Sequence, residues 1–291
     1  MTYRFDPHQS PAKQIQRIAR EQLASALHAA QQLEQQEAIH QIRKHCKKMR
    51  ALVRLVQKTN RHTERLYPVE NAHYRSVAQT LSGSRDAVSL YDALTKQLAA
   101  TQFPATAAAL KARIDTSGAG AALAQAQQLL VQGQRQVECW ELFGLTTRDL
   151  KRGYARSYHR AYRAMQQAFA REDGESFHTL RKRIKDQWYH TRLLQELKPQ
   201  KIGGRRTRLK LLASALGDWR DLHLLCRFLA THKQALGAEE ERELIPLLDQ
   251  AQQRMQELRR SIGRECEQLF AHDKWREQRK HSHPRPIDAA D

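Results

Sequence analysis

The 291 residues include 50 Lys and Arg against 31 Asp and Glu, a formal net charge of +19. That length allows one large or two ordinary domains with ample core. The charge goes far beyond what solubility needs and points to a polyanionic partner or an anionic surface. Alanine, leucine, glutamine and arginine dominate while valine, isoleucine and threonine are few, which disfavours strands and predicts an all-α fold. Cys46, Cys139, Cys226 and Cys266 form no CxxC pair, which argues against a zinc ribbon or a disulfide scaffold and fits a reducing compartment. No stretch approaches the roughly 18 uninterrupted apolar residues of a membrane span, and the N-terminus has no apolar signal core, so a cytoplasmic location is expected.

In chain order, a first helix is predicted from Pro11 to about Gln32, with Ile15, Ile18, Leu23 and Leu27 at near-helical spacing. A second runs from Glu37 to about Asn60, and a third from Pro68 to Leu81. Ser84 can cap a fourth from Arg85 to about Thr101, and Pro104 can open a short one. DTSGAG, from Asp115 to Gly120, breaks the chain before a helix from Ala121 to about Phe143, and Thr147 to about Arg171 follows. EDGES, from Glu172 to Ser176, precedes the next helix, after which Pro199, Gly203 and Gly204 interrupt. Helices from Arg205 to Leu216, Trp219 to Leu236 and Ala238 to about Trp275 complete the series, and the tail at 276–291 has no apolar pattern and is expected to be disordered.

Two of these helices carry related basic stretches, IHQIRKHCKKMRALVR from Ile39 and FHTLRKRIKDQWYHTR from Phe177. On a helical wheel His40, Arg43, Lys44, Lys47, Ala51, Arg54 and Lys58 share one face, opposite Ile42, Cys46, Met49, Val53 and Val56. The result is a cationic ridge about 27 Å long at about 1.5 Å per residue. No Asp or Glu occurs from Ile39 to Lys58, so the i,i+4 ion pairs that usually accompany such a face are missing. An anion would neutralise it, although long basic side chains also serve as plain solvated surface. In the second copy His178, Arg181, Lys182, Lys185, Tyr189 and Arg192 share a face. The helix from Thr147 adds Arg152, Arg156, Arg160 and Arg163, and Arg205 and Arg208 open the segment after the second ridge, so that together these could wall a groove. Arginine would bring two-pronged hydrogen bonds to phosphate oxygens, and lysine mobile point charges.

The repeat extends further, since Arg85-Asp86 follows His40 by 45 residues and Arg220-Asp221 follows His178 by 42. This near-equal separation implies duplication of a unit of about four helices, and so two bundles related by an approximate two-fold axis. The aspartates suit first-turn positions that favour the helix dipole, and the role of their arginine neighbours stays open. His40 and His178 stand at the start of each ridge, where contact with an anion, a structural helix-end bond, or catalysis or metal binding are the alternatives. No catalytic residue, cofactor or metal site is expected, because the ridges lack paired carboxylates and a P-loop.

These residues resemble the CHAD family, the conserved-histidine α-helical domain. The two basic stretches are similar to its paired His-x-x-Arg signatures. PVENAHYRSVAQTLSGSRDA and LLASALGDWRDLHLL resemble its two segments ending in Arg-Asp, and QIQRIAREQLASAL its opening helix. The resemblance implies one domain over residues 5–275 with halves at about 8–115 and 120–275. It also implies two pseudo-two-fold-related four-helix bundles of long helices flanking a basic central channel. It further implies non-enzymatic binding of inorganic polyphosphate, with phosphate and sulfate as mimics and location at polyphosphate granules. Carried over by position, the contacts would be His40, Arg43, Lys44, Lys47, Arg50 and Arg54, then Arg156, Arg160, Arg163, His178, Arg181, Lys182, Lys185 and Arg192. Asp186, Trp188 and Tyr189 depart from the family pattern, which makes the second ridge the weaker match. Nucleic-acid binding is the alternative reading and a phosphohydrolase a more distant one. With neither Arg43 nor Lys47 facing the expected core, exchanging both for Glu is expected to abolish binding and spare helicity.

Overall fold

The computed structural model describes residues 3–114, 117–197, 199–232 and 237–271, without the side chains of 83–86 and 199–203. The described residues form ten α-helices and two 3-10 turns, and no strand occurs among them. Helix α1 (Pro11–Gln32) starts with Pro11 in its first turn, where the missing N–H costs nothing. Helix α2 (Gln35–Val56) carries the first ridge and is opened by the Glu34 side chain, which accepts from Gln36 N. It ends earlier than predicted, and Lys58 adopts a φ of 63°, outside the ridge. Helix α3 (Arg61–Thr80) begins seven residues before its predicted start, because Asn60 and Thr63 form a reciprocal capping box and Pro68 is carried inside the helix.

Helices α4 (Gly83–Gln97) and α5 (Pro104–Ala112) follow, with the predicted Ser84 cap and the Arg85-Asp86 pair outside the described side chains. Helix α6 (Ala119–Glu138) stops five residues short of the predicted Phe143, and the segment beyond it instead buries Trp140, Leu142 and Leu145. Helix α7 (Thr147–Arg171) has the predicted bounds and a Thr146–Asp149 capping box. Glu172 then takes a left-handed conformation, and the Asp173 side chain caps α8 (Gly174–Leu194), the helix of the second ridge.

The predicted interruptions at Gly203 and Gly204 and between Leu216 and Trp219 do not exist. One helix, α9 (Pro199–Thr231), runs through all of them. Its buried stripe of Leu209, Leu212, Leu216, Trp219, Leu222, Leu225 and Leu229 outweighs about 1 kcal/mol lost per interior glycine. Helix α10 (Ala238–Phe270) closes the described fold, and the tail expected to be disordered lies outside the described residues.

The buried apolar residues form two clusters. The first joins α1, α2, α3 and α6 with Tyr3, Phe5 and the segment after α6. The second joins α4, α5, α9 and α10. Helices α4 and α5 therefore belong to the predicted first half yet pack with the later helices, while α6 opens the predicted second half and packs with the earlier ones. Two helices belong to both clusters. Leu150 and Tyr154 of α7 and Tyr189, Leu193 and Leu194 of α8 enter the first. Tyr158, Ala161, Ala164 and Ala168 of α7 and Phe177, Leu180 and Ile184 of α8 enter the second. Helix α2 crosses this α7–α8 pair, so both basic helices meet between the cores. Among the described residues no helix is long and apolar enough to cross a membrane.

Candidate anion-binding site

The crossing of α2 with α7 and α8 is tight at the backbone. Gly153 of α7 lies so close to α2 that a Cβ there would stand 1.8 Å from the Leu55 carbonyl oxygen. The Arg156 guanidinium donates to the Gln57 carbonyl just beyond the end of α2, and buried His190 of α8 shares a 2.7 Å hydrogen bond with the Ala51 carbonyl. These contacts bury Ala51 and largely bury Arg54, both predicted on the open ridge. The ridge thus faces solvent only over its first turns, where His40, Lys44 and Lys47 are exposed.

Arg54 is the centre of the site. Its Nη1 donates to Asp186 Oδ1 at 2.5 Å, its Nε and Nη2 to the Tyr67 hydroxyl at 3.2 and 3.1 Å, and Nη2 also to Asn71 Oδ1 at 3.3 Å. Burial works against its charge, but Asp186 and Tyr67 more than offset this and hold its pKa above the ordinary value. Arg50, one turn earlier, donates from Nε to the same Asn71 oxygen at 3.0 Å. Burial, then the Arg54 charge, pull Arg50 below the ordinary arginine range. Arg160 of α7 is lowered by burial and by Arg183 and Arg54. Lys182 is lowered by burial, Arg183 and Arg220, with Arg50 a smaller contributor. Charges on α2, α7, α8 and α9 thus act on one another, and the two ridges converge on a single cluster. Its nearest carboxylate is Asp186, whose Oδ2 lies 3.7 Å from Arg183 Nη1.

His178 stands at the edge of this cluster, with its Nδ1 against Nη1 of Arg220. Burial, Arg220, Lys182 and Arg181 lower its pKa to about 4, so at neutral pH the imidazole is uncharged and accepts from the guanidinium. This links the second His helix to the Arg of its Arg-Asp pair.

Several predicted residues lie elsewhere. Arg43 reaches α3, where Nη1 donates to the Ala78 and Leu81 carbonyls at 2.7 and 3.1 Å and satisfies the end of that helix. Replacing it with Glu would therefore disturb folding as well as charge. Tyr189, predicted on the second ridge, is buried at 4% exposure in edge contact with Tyr3. The chain at Tyr3 and Phe5 lies along α8 here, with Phe5 N donating to the Leu193 carbonyl and the Tyr3 hydroxyl to the Lys48 carbonyl.

Tyr3 and Trp188 divert part of the second ridge to this flank. Arg192 lies 5.8 and 5.1 Å from the Tyr3 and Trp188 rings, and Lys185 lies 4.8 Å from Trp188. Arg181 packs beside Gly217 of α9, where an added Cβ would stand 3.4 Å from Nη2. Arg163 is exposed one turn past Arg160. Arg205 and Arg208 do not wall the cluster. They reach α10, donating to the Leu269 carbonyl and the Gln268 side chain, and Arg205 covers the Tyr158 ring.

Sequence reasoning missed Arg183, Tyr67 and Asn71. Arg183 falls about 140° from His178 on the helical wheel, away from the ridge, and the α3 residues carry no repeated pattern that would mark them. No group of His, Cys, Asp and Glu suited to a metal ion occurs among the described residues. Against known proteins, residues 17–230 match the family model described as CHAD domain, which is more than half of the chain. Among curated proteins no match is found.

Proposed function

The chain belongs to the CHAD domain family, and on that premise we propose that it binds inorganic polyphosphate without acting on it as an enzyme. The observation that carries this reading is the convergence of Arg50, Arg54, Arg160 and Arg183 around the carboxylate of Asp186, with Lys182 beside Arg183. Holding cations this close opposes folding unless an anion completes the site, and burial strengthens each contact that an anion would make. Polyphosphate is a flexible chain of closely spaced charges without bases to read, so such a cluster suits it and needs no stacking platform. Of the α7 tyrosines that a base could stack on, Tyr154 and Tyr158 are buried and Tyr162 is half-buried against Phe270.

In this reading the two cores correspond to the paired four-helix bundles, and the crossing between them to the wall of a basic channel. The exposed His40, Lys44, Lys47 and Arg163 extend the track outward from the cluster. Polyphosphate granules are the cellular location that follows.

The test is competition. Labelled polyphosphate should bind with an affinity that falls steeply between about 50 and about 200 mM salt, and excess unlabelled polyphosphate should displace RNA or DNA at matched phosphate concentration. Nucleic acid that resists displacement would favour the nucleic-acid reading. Orthophosphate release from bound polyphosphate would overturn the non-enzymatic one.

A further inference from the structure

Asp186 interrupts an otherwise cationic surface, and its surroundings differ from those of an ordinary surface ion pair. It lies on α8 directly after Lys185, with side-chain exposure of only 12%. One oxygen takes the 2.5 Å bond from Arg54 Nη1. The other is buried and makes no hydrogen bond among the described residues, standing 3.7 Å from Arg183. A carboxylate bound through one oxygen is a weaker partner for a guanidinium than a two-pronged phosphate. It also occupies the place where Arg54 and Arg183 would grip a phosphate oxygen. Tyr67 and Asn71 fix the rest of the Arg54 fork, so its free approach is toward Asp186.

We propose that Asp186 is a built-in counter-anion, which holds the cation cluster together in the empty protein and competes with polyphosphate for Arg54 and Arg183. This rests on the polyphosphate reading above and adds to it a residue that sets affinity. The ligand either displaces the carboxylate or binds beside it against its repulsion, and in both cases the carboxylate weakens binding. The same charge attracts Arg50, Arg54 and Arg160, so removing it leaves the empty site more repulsive.

The experiment compares the full chain with Asp186→Asn, which keeps the shape and the acceptor for Arg54 but removes the charge. Polyphosphate affinity at fixed ionic strength should rise about tenfold. The thermal midpoint without ligand should fall, and the gain on saturation with polyphosphate should grow. Equal or weaker binding by a folded Asn variant would overturn the proposal. Should that variant not fold, Arg54→Gln with Asp186→Asn removes both charges together and is compared with Arg54→Gln alone. Tighter binding by the double variant supports competition, and equal binding overturns it. A wild-type chain that fails to bind polyphosphate removes the functional reading along with this one. Wild-type binding without a gain in the Asn variants removes the Asp186 assignment alone.

Discussion

Three histidines at helix contacts are held uncharged at neutral pH, chiefly by burial. His190 is buried against the Ala51 carbonyl and lowered by burial from 6.5 to about 4. His178 is lowered to about 4 by burial and then Arg220, and His45, beside Gln22, to about 3 by burial and then Lys48. A depressed folded pKa means that the unfolded chain binds more protons through this window. The stability these groups allow is therefore complete above about 6.5 and is lost as pH falls toward about 4. Denaturant midpoints should drop between those values, and His190→Gln should flatten the drop. A midpoint constant across the window in the wild-type chain would refute this. At the same scale, the sequence disclosed that Arg43 and Arg54 share a helix face but not what they touch. Arg43 ends a helix and Arg54 centres the cluster, because their partners Ala78, Tyr67 and Asn71 come from α3 and Leu81 from just past its end.

Some helix ends were legible from a local signal, although the Asn60–Thr63 capping box that starts α3 was missed. Pro11 starts α1, and the Thr146–Asp149 capping box starts α7. The glycines of α9 were misread as breaks because their cost is local while the stripe that overrides it needs the neighbouring helices. Gly153 shows the converse, being an interior helix glycine required by close approach to α2. Gly153→Ala would push a methyl group into the Leu55 carbonyl and should destabilise the fold by about 2–3 kcal/mol through separation of α2 from α7. The measurement is chemical unfolding. A change below about 0.5 kcal/mol would mean that the helices part easily at this crossing.

Because α7 and α8 enter both cores, the molecule should unfold as one unit, and a ligand at the crossing should stabilise all of it. At a hundredfold excess over Kd, polyphosphate should add about 2.7 kcal/mol and raise a single thermal midpoint by roughly 4–6 °C. Two transitions, of which the ligand moves only one, would contradict that coupling. The sequence by itself determined the helical class, the duplicated basic helices and the strong excess of positive charge, since composition and period-3.6 patterning are properties of single segments. Only the tertiary structure decided that α4 and α5 pack with the later helices and α6 with the earlier ones. It also decided that the first ridge turns inward at Ala51 and that Asp186 stands among the arginines. The physical reason is that each of these depends on which apolar faces find one another. Burial at a helix crossing, and the charges it brings together, belong to pairs of helices far apart in the chain.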